Sequence, residues 1–209
     1  AAAYGEFWVG PGRSFHSMIL LTLGTGVGCG IIIGDLIIEG EHGFGTECGH
    51  IVVDCCENAR VCSCGQTGHL ESYASAVGVT KRAQEALDAG RATSLLGRLE
   101  HGETLSPLLI AEEAADGDPF SLEIVMETAM YLGVGIVSLV HTIDPSGVLL
   151  GGLKQIQAAH GHRDLGGDGG VQLLWDEAAY QQNGGLNSGA AQHQGLFHTH
   201  HAQPQTAGL

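Results

Sequence analysis

Glu47-Cys48-Gly49-His50 and, after eleven intervening residues, Cys62-Ser63-Cys64-Gly65-Gln66-Thr67-Gly68-His69-Leu70-Glu71 are the stretch on which the reading of this chain turns. His50, Cys62, Cys64 and His69 make a set of four soft or borderline ligands, the number a tetrahedral zinc ion takes. Gly65 and Gly68 supply the tight turn that folds the last ligand back on the first. The plainer alternative is two buried thiols and a polar residue at a helix start. Adjacent cysteines seldom both bind one ion, so Cys55 and Cys56 are read as non-ligands. Glu47 and Glu71 flank the set. They are either solvated acids or acceptors for vicinal hydroxyls on a loop that the metal stiffens.

All six cysteines lie between positions 29 and 64, beside histidines. A disulfide framework would spread them, whereas this clustering suits a metal site in a reducing cytoplasm. The chain has 209 residues, an apolar fraction of 44% and 34 glycines, enough for one large globular lobe. A formal charge of −15 speaks against nucleic-acid and anionic-membrane partners, which want a basic face. No uninterrupted run of 18 apolar residues is present, so no membrane span is expected.

Upstream, Met18 to Gly24 reads as a buried strand, with Cys29 to Ile33 and Leu36 to Glu39 as two more around a Gly34-Asp35 turn. Between the first two stands Gly24-Thr25-Gly26-Val27-Gly28, too glycine-rich for regular structure. Such glycines let backbone amides approach a phosphate, and Thr25 adds a donor. Alone, the segment is equally a glycine-rich hairpin. It is not a P-loop, because no Gly-Lys-Ser/Thr follows. Downstream, the segment from Glu41 to Gly68 is loop and Glu71 to Ala89 one helix closed by Gly90. Ser106-Pro107 and Asp118-Pro119 each pair a cap with a proline at the first helical position, predicting helices to about Ala115 and His141. Val148 to Leu150 is a short strand stopped by Gly151-Gly152.

Taken in order, these motifs resemble the ROK family of sugar kinases and repressors, its bacterial glucokinases most of all. The resemblance runs from about Ala1 to Leu153. It implies an α/β fold, the larger (C-terminal) lobe of an actin-like (ribonuclease H-like) sugar kinase with a mixed sheet covered by helices. It implies that Glu47, His50 and Glu71 contact the sugar, and that His50, Cys62 and Cys64 bind structural zinc with His69 where the family usually has Cys. Gly24, Thr25 and Gly26 would face the phosphates of ATP, and Gly151 and Gly152 would border the adenosine. The implied reaction is transfer of the γ-phosphoryl of ATP to the 6-hydroxyl of glucose or a related hexose, with Mg²⁺ offsetting phosphate charge. A cytoplasmic homo-oligomer is expected, and a sugar-sensing repressor lobe is the alternative. Ala1 to Glu6 resembles the segment just after the family's Asn-Asp motif. The base is therefore expected upstream of Ala1, and this chain alone is expected to be close to inactive. The loop between His50 and Cys62 is slightly long for the pattern.

Beyond Leu153 the composition changes. Six of the twelve histidines and nine of the eleven glutamines lie there. Segment 154–209 does not resemble the family and is expected to be a poorly ordered tail. A shifted reading frame is the favoured origin, against a natural metal-binding tail through His198, His200 and His201.

Overall fold

The computed structural model describes residues 1–152 and the backbone of 172–176. The tail expectations therefore lie outside the described residues, except for one strand. Strand β1 (Ser17–Leu23) is buried along almost its whole length. Its alternate residues serve two faces: Ile19, Leu21 and Leu23 enter one core, Met18 and Leu20 another. Such double burial is why the segment reads as a continuous apolar run rather than an alternating one. Strand β2 (Val27–Ile33) pairs antiparallel with β1 and carries the two-residue strand β3 (Leu36–Ile37) on its other edge. Strand β4 (Gly147–Gly151) lies parallel to β1. Strand β5 (Gln172–Asp176) pairs antiparallel with β4, giving the order β3-β2-β1-β4-β5.

Two faces of this mixed sheet are covered. Helix α1 (Ala2–Trp8) places Ala3 and Phe7 on one side. A Cβ on Gly30 would stand 2.4 Å from that of Ala3, so a side chain there would push the helix off the sheet. The other side is covered by α2 (Glu71–Ala74) and the 25-residue crossover helix α6 (Pro119–Ile143), through Leu70, Ala74, Leu132 and Leu139. Gly135 lets α6 sit against Leu70, at 2.9 Å from where a Cβ would be. Helices α3 (Ala76–Asp88), α4 (Leu95–Glu100) and α5 (Pro107–Ala115) pack a second apolar cluster against the start of α6.

The prolines and caps fall where expected: Ser106 Oγ and Asp118 Oδ2 accept the N–H groups of Leu109 and Ser121. Three local expectations are corrected. The helix expected over Glu71 to Ala89 is broken at Ser75, whose backbone is extended and whose Oγ accepts the Gly78 N–H to cap α3. Val27 and Gly28 belong to β2, so the glycine-rich connection is a shorter, tighter turn than expected. The third strand stops at Ile37 instead of Glu39. Helices α1 and α4, which were not expected from the sequence, carry no cap with a side-chain bond, the signal by which α5 and α6 are found.

Candidate metal and sugar site

The loop from Glu41 to Gly68 is held by few regular elements, and its own hydrogen bonds bring the ligands together. A single 3₁₀ turn, Cys48–His50, follows Glu47 and drops Cys48 into the core. Gly49 is required there, because a Cβ would meet the Val27 carbonyl at 2.5 Å. The Cys62 N–H donates to the Gln66 carbonyl at 2.7 Å and the Gly65 N–H to the Cys62 carbonyl at 2.9 Å, with Gly65 at φ +90°. That hairpin returns the chain to His69, which bridges to Val52.

The ligand atoms of His50, Cys62, Cys64 and His69 all lie within 4.8 Å of one another. His50 Nδ1 and His69 Nδ1 are 3.2 Å apart, Cys62 Sγ is 3.7 Å from His50 Nδ1, and Cys64 Sγ is 3.3 Å from His69 Nδ1. Metal–ligand bonds of ~2.0–2.1 Å to nitrogen and ~2.3 Å to sulfur give tetrahedron edges of roughly 3.3 Å for N–N and 3.6 Å for N–S. These three of the six separations match those edges within a few tenths of an ångström, and the remaining ones stay within 4.8 Å, so the set fits a tetrahedral ion with a small closure of the ligands around it. Burial pushes the Cys62 thiol up, but the Cys64 backbone, the His69 ring and the Ser63 hydroxyl outweigh it and bring it down to about 6. A thiol so placed ionises readily, which a metal ligand must do. Cys55 and Cys56 are exposed and stand outside the four-ligand group.

Glu71 opens α2 directly after the last ligand. One carboxylate oxygen accepts the Val27 N–H at 3.0 Å, and the other accepts the Ser63 hydroxyl at 3.2 Å. A Cβ on Gly26 would fall 2.5 Å from that carboxylate, so the glycine turn and the metal loop meet at one acid. The turn itself closes through the Gly24 N–H to the Gly26 carbonyl at 3.0 Å, while the Ala76 N–H at the start of α3 donates to Gly24 at 2.8 Å. Thr25 is exposed at its tip. Gly151 pairs with Thr22 at the end of β4, and Gly152, at φ +81°, passes so close to Leu23 that a Cβ would lie 2.4 Å from its carbonyl oxygen. Both glycine pairs thus sit at the carboxyl ends of the parallel strands β1 and β4, where open α/β sheets bind ligands. Glu47 is exposed at the entrance to the Cys48–His50 turn, which rests on β2.

Sequence reasoning missed one brace. Asp54 accepts the Tyr73 hydroxyl at 2.6 Å and the Cys56 N–H at 2.9 Å, and Tyr73 in turn accepts the Arg60 N–H at 2.8 Å. These bonds, above all the Tyr73 one, hold the Asp54 carboxyl below its usual range. They tie the slightly long loop between His50 and Cys62 to α2. Nothing in the local sequence marks Tyr73 as its partner.

The architecture is that of the actin-like ATPase fold, as found in sugar kinases. A profile of the ROK family matches residues 1–160, and the chain belongs to that family. A glucokinase of Halalkalibacterium halodurans is 37% identical over 151 residues, 72% of this chain and 46% of that protein. A xylose repressor of Caldicellulosiruptor bescii is 30% identical over 151 residues, 72% of this chain and 37% of that protein. The structure of a ROK glucokinase from Streptomyces griseus, in complex with glucose and AMPPNP, is 32% identical with a TM-score of 0.63, covering 80% of this chain and 57% of that one. The chain spans about half the length or less of the curated relatives it matches.

Proposed function

We propose that this chain is the sugar-holding half of an ATP-dependent hexokinase that phosphorylates glucose or a related hexose at the 6-hydroxyl. The observation that carries the reading is Glu71, gripped between the glycine turn and the metal loop. An acid fixed at both oxygens by neutral donors keeps lone pairs for two sugar hydroxyls, and the same contact sets sugar and phosphate sides at a constant distance. Glu47 supplies the second carboxylate. His50, Cys62, Cys64 and His69 would hold zinc as a structural ion, with all four positions filled by protein. The double duty of His50 has a simple basis. Its Nδ1 points into the ligand set, which leaves Nε2 for a hydroxyl. Gly24, Thr25 and Gly26 would lie along the phosphates of ATP and Gly151 and Gly152 along the adenosine, with Mg²⁺ neutralising phosphate charge. Free thiols at Cys62 and Cys64 suit a cytoplasmic enzyme. We place it as a homo-oligomer at the entry of hexoses into glycolysis.

A coupled assay on the whole protein tests the reading. Glu71→Gln keeps one acceptor and loses the charge, so KM for glucose should rise ~10–100-fold while KM for ATP changes little. Equal losses toward both substrates would overturn the assignment. The similarity to xylose repressors supports a second reading, a sugar-sensing repressor lobe. Under it the protein binds hexose with no phosphoryl transfer, and a helix-turn-helix precedes the lobe.

A further inference from the structure

Two thiols outside the ligand set meet beneath the turn that carries Glu47 and His50. Cys29 lies in the middle of β2, opposite Leu21 of β1, and turns to the same core face as Val27 and Ile31. Cys48 opens the Cys48–His50 turn and is buried in that same cluster, 5% exposed. The turn is seated on β2 residue by residue. Gly49 rests on the Val27 carbonyl, and Cys48 rests on Cys29, the two thiols being hydrogen-bonding neighbours. The turn's own bonds fix it there: the His50 N–H donates to the Glu47 carbonyl at 3.0 Å and the Ile51 N–H to the Cys48 carbonyl at 3.2 Å. Neither sulfur belongs to the four-ligand group.

A buried free cysteine ordinarily serves as a small apolar side chain. That role accounts for either residue alone, but two further observations give the pair a chemistry. Cys29 is only half-buried and lines a cavity of ≈ 460 Å³ walled by α1, the sheet and the loop after β3, together with Thr22, Glu39 and Thr46. A small oxidant therefore has a way in to a core thiol. The two sulfurs also come from separate elements already packed together, so a bond between them needs little backbone movement. Such a bond would draw Cys48 onto β2, and Glu47 and His50 flank Cys48 closely on the same turn.

We propose that Cys29 and Cys48 are a peroxide-oxidised thiol pair, whose disulfide lowers sugar affinity by shifting Glu47 and His50. The second half rests on the sugar-holding role proposed above; the first does not. One sulfur attacks a peroxide oxygen, the O–O bond breaks, and a sulfenic acid and one water result. The second sulfur attacks the first, the S–O bond breaks, and a second water leaves. Two electrons pass from the sulfurs to peroxide, and both thiol protons end in water. A dithiol reductant reverses the bond, as suits the transient disulfides of a reducing compartment.

The test uses the whole protein carrying Cys55→Ser and Cys56→Ser, which removes the two exposed thiols between the ligands. Cleavage after glutamate separates Cys29, in Phe7–Glu39, from Cys48, in Cys48–Glu57. After hydrogen peroxide these two peptides should be joined, lighter than their sum by two hydrogens, and parted again by dithiothreitol. Oxidation should raise the calorimetric dissociation constant for glucose ~3–30-fold, the reach of a sub-ångström misplacement. Zinc per chain should not change. Adding Cys29→Ser should abolish both the joined peptides and the affinity shift, while keeping the affinity of the reduced parent. Peptides that stay separate, or oxidation that joins Cys62 to Cys64 with loss of zinc, would overturn the proposal. Joined peptides with unchanged glucose affinity would overturn its second half. A reduced protein that binds no glucose would overturn the sugar-holding reading instead, and the disulfide would stand on the peptide masses alone.

Discussion

His50 and His69 are the residues on which the site depends most, and they differ in how replaceable they are. His50 faces the ligand set with one nitrogen, and no other residue type presents a second donor from the same rigid ring. In the proposed centre His69 would only complete the tetrahedron. His69→Cys should therefore retain one zinc per chain by elemental analysis, while His69→Ala should lose it. The alanine variant should also melt roughly 5–10 °C lower, the effect of about 2–3 kcal/mol on a domain of this size. Equal metal content in the two variants would remove His69 from the set. That these four side chains converge was legible from the sequence, because ligand-type residues stand close together with glycines between them. Ser63 and Tyr73 were not. Each acts through a partner eight and nineteen residues away, Glu71 and Asp54, and such a pairing leaves no local mark.

At the scale of elements, Ser75 is where the sequence was most misleading. No proline interrupts the segment and Gly90 closes it, so pattern alone predicts one helix. The structure sets Ser75 at ψ 159° and spends its hydroxyl on the cap of α3, because Ala76 must donate to Gly24 at 2.8 Å instead of continuing the helix. The break thus follows from docking the helix start on the glycine turn, a tertiary demand that overrides propensity. Ser75→Ala should cost about 1 kcal/mol in urea unfolding. Its larger signature should appear in nucleotide binding, since the turn loses a fixed neighbour. No change in either would show that the break is held by other contacts. Strands β1 and β4, by contrast, were legible nearly to the residue, since they are buried and read as plain apolar runs.

At the scale of the whole molecule, two assemblies are joined: the sheet with its metal loop, and the cluster of α3, α4 and α5. Arg82 fastens them. Its side chain is 4% exposed, its guanidinium donates to the Tyr73 carbonyl at 3.0 Å, and it also reaches Thr128 and Glu127 on α6. Arg82→Ala should destabilise the chain by about 2–4 kcal/mol, as breaking a buried charged network does. Part of the loss should appear as lowered zinc affinity, because Tyr73 also braces the metal loop through Asp54. Unfolding and metal titrations of this variant would separate the two effects, and unaltered stability would contradict the role. The family-level architecture was legible because its glycines and ligands occur in a fixed order. Arg82 was not, because an arginine in an amphipathic helix reads as solvated surface until its neighbours are known.

The account rests on one claim, that His50, Cys62, Cys64 and His69 form a closed tetrahedral centre pinning the loop that presents Glu47 and Glu71. Zinc-edge X-ray absorption of the protein as purified tests it most directly. Two sulfur scatterers at ~2.3 Å and two nitrogen scatterers at ~2.0–2.1 Å are predicted. A shell of three or four sulfurs would draw in Cys55 or Cys56 and contradict the ligand set, and protein that takes up no zinc would contradict the centre itself.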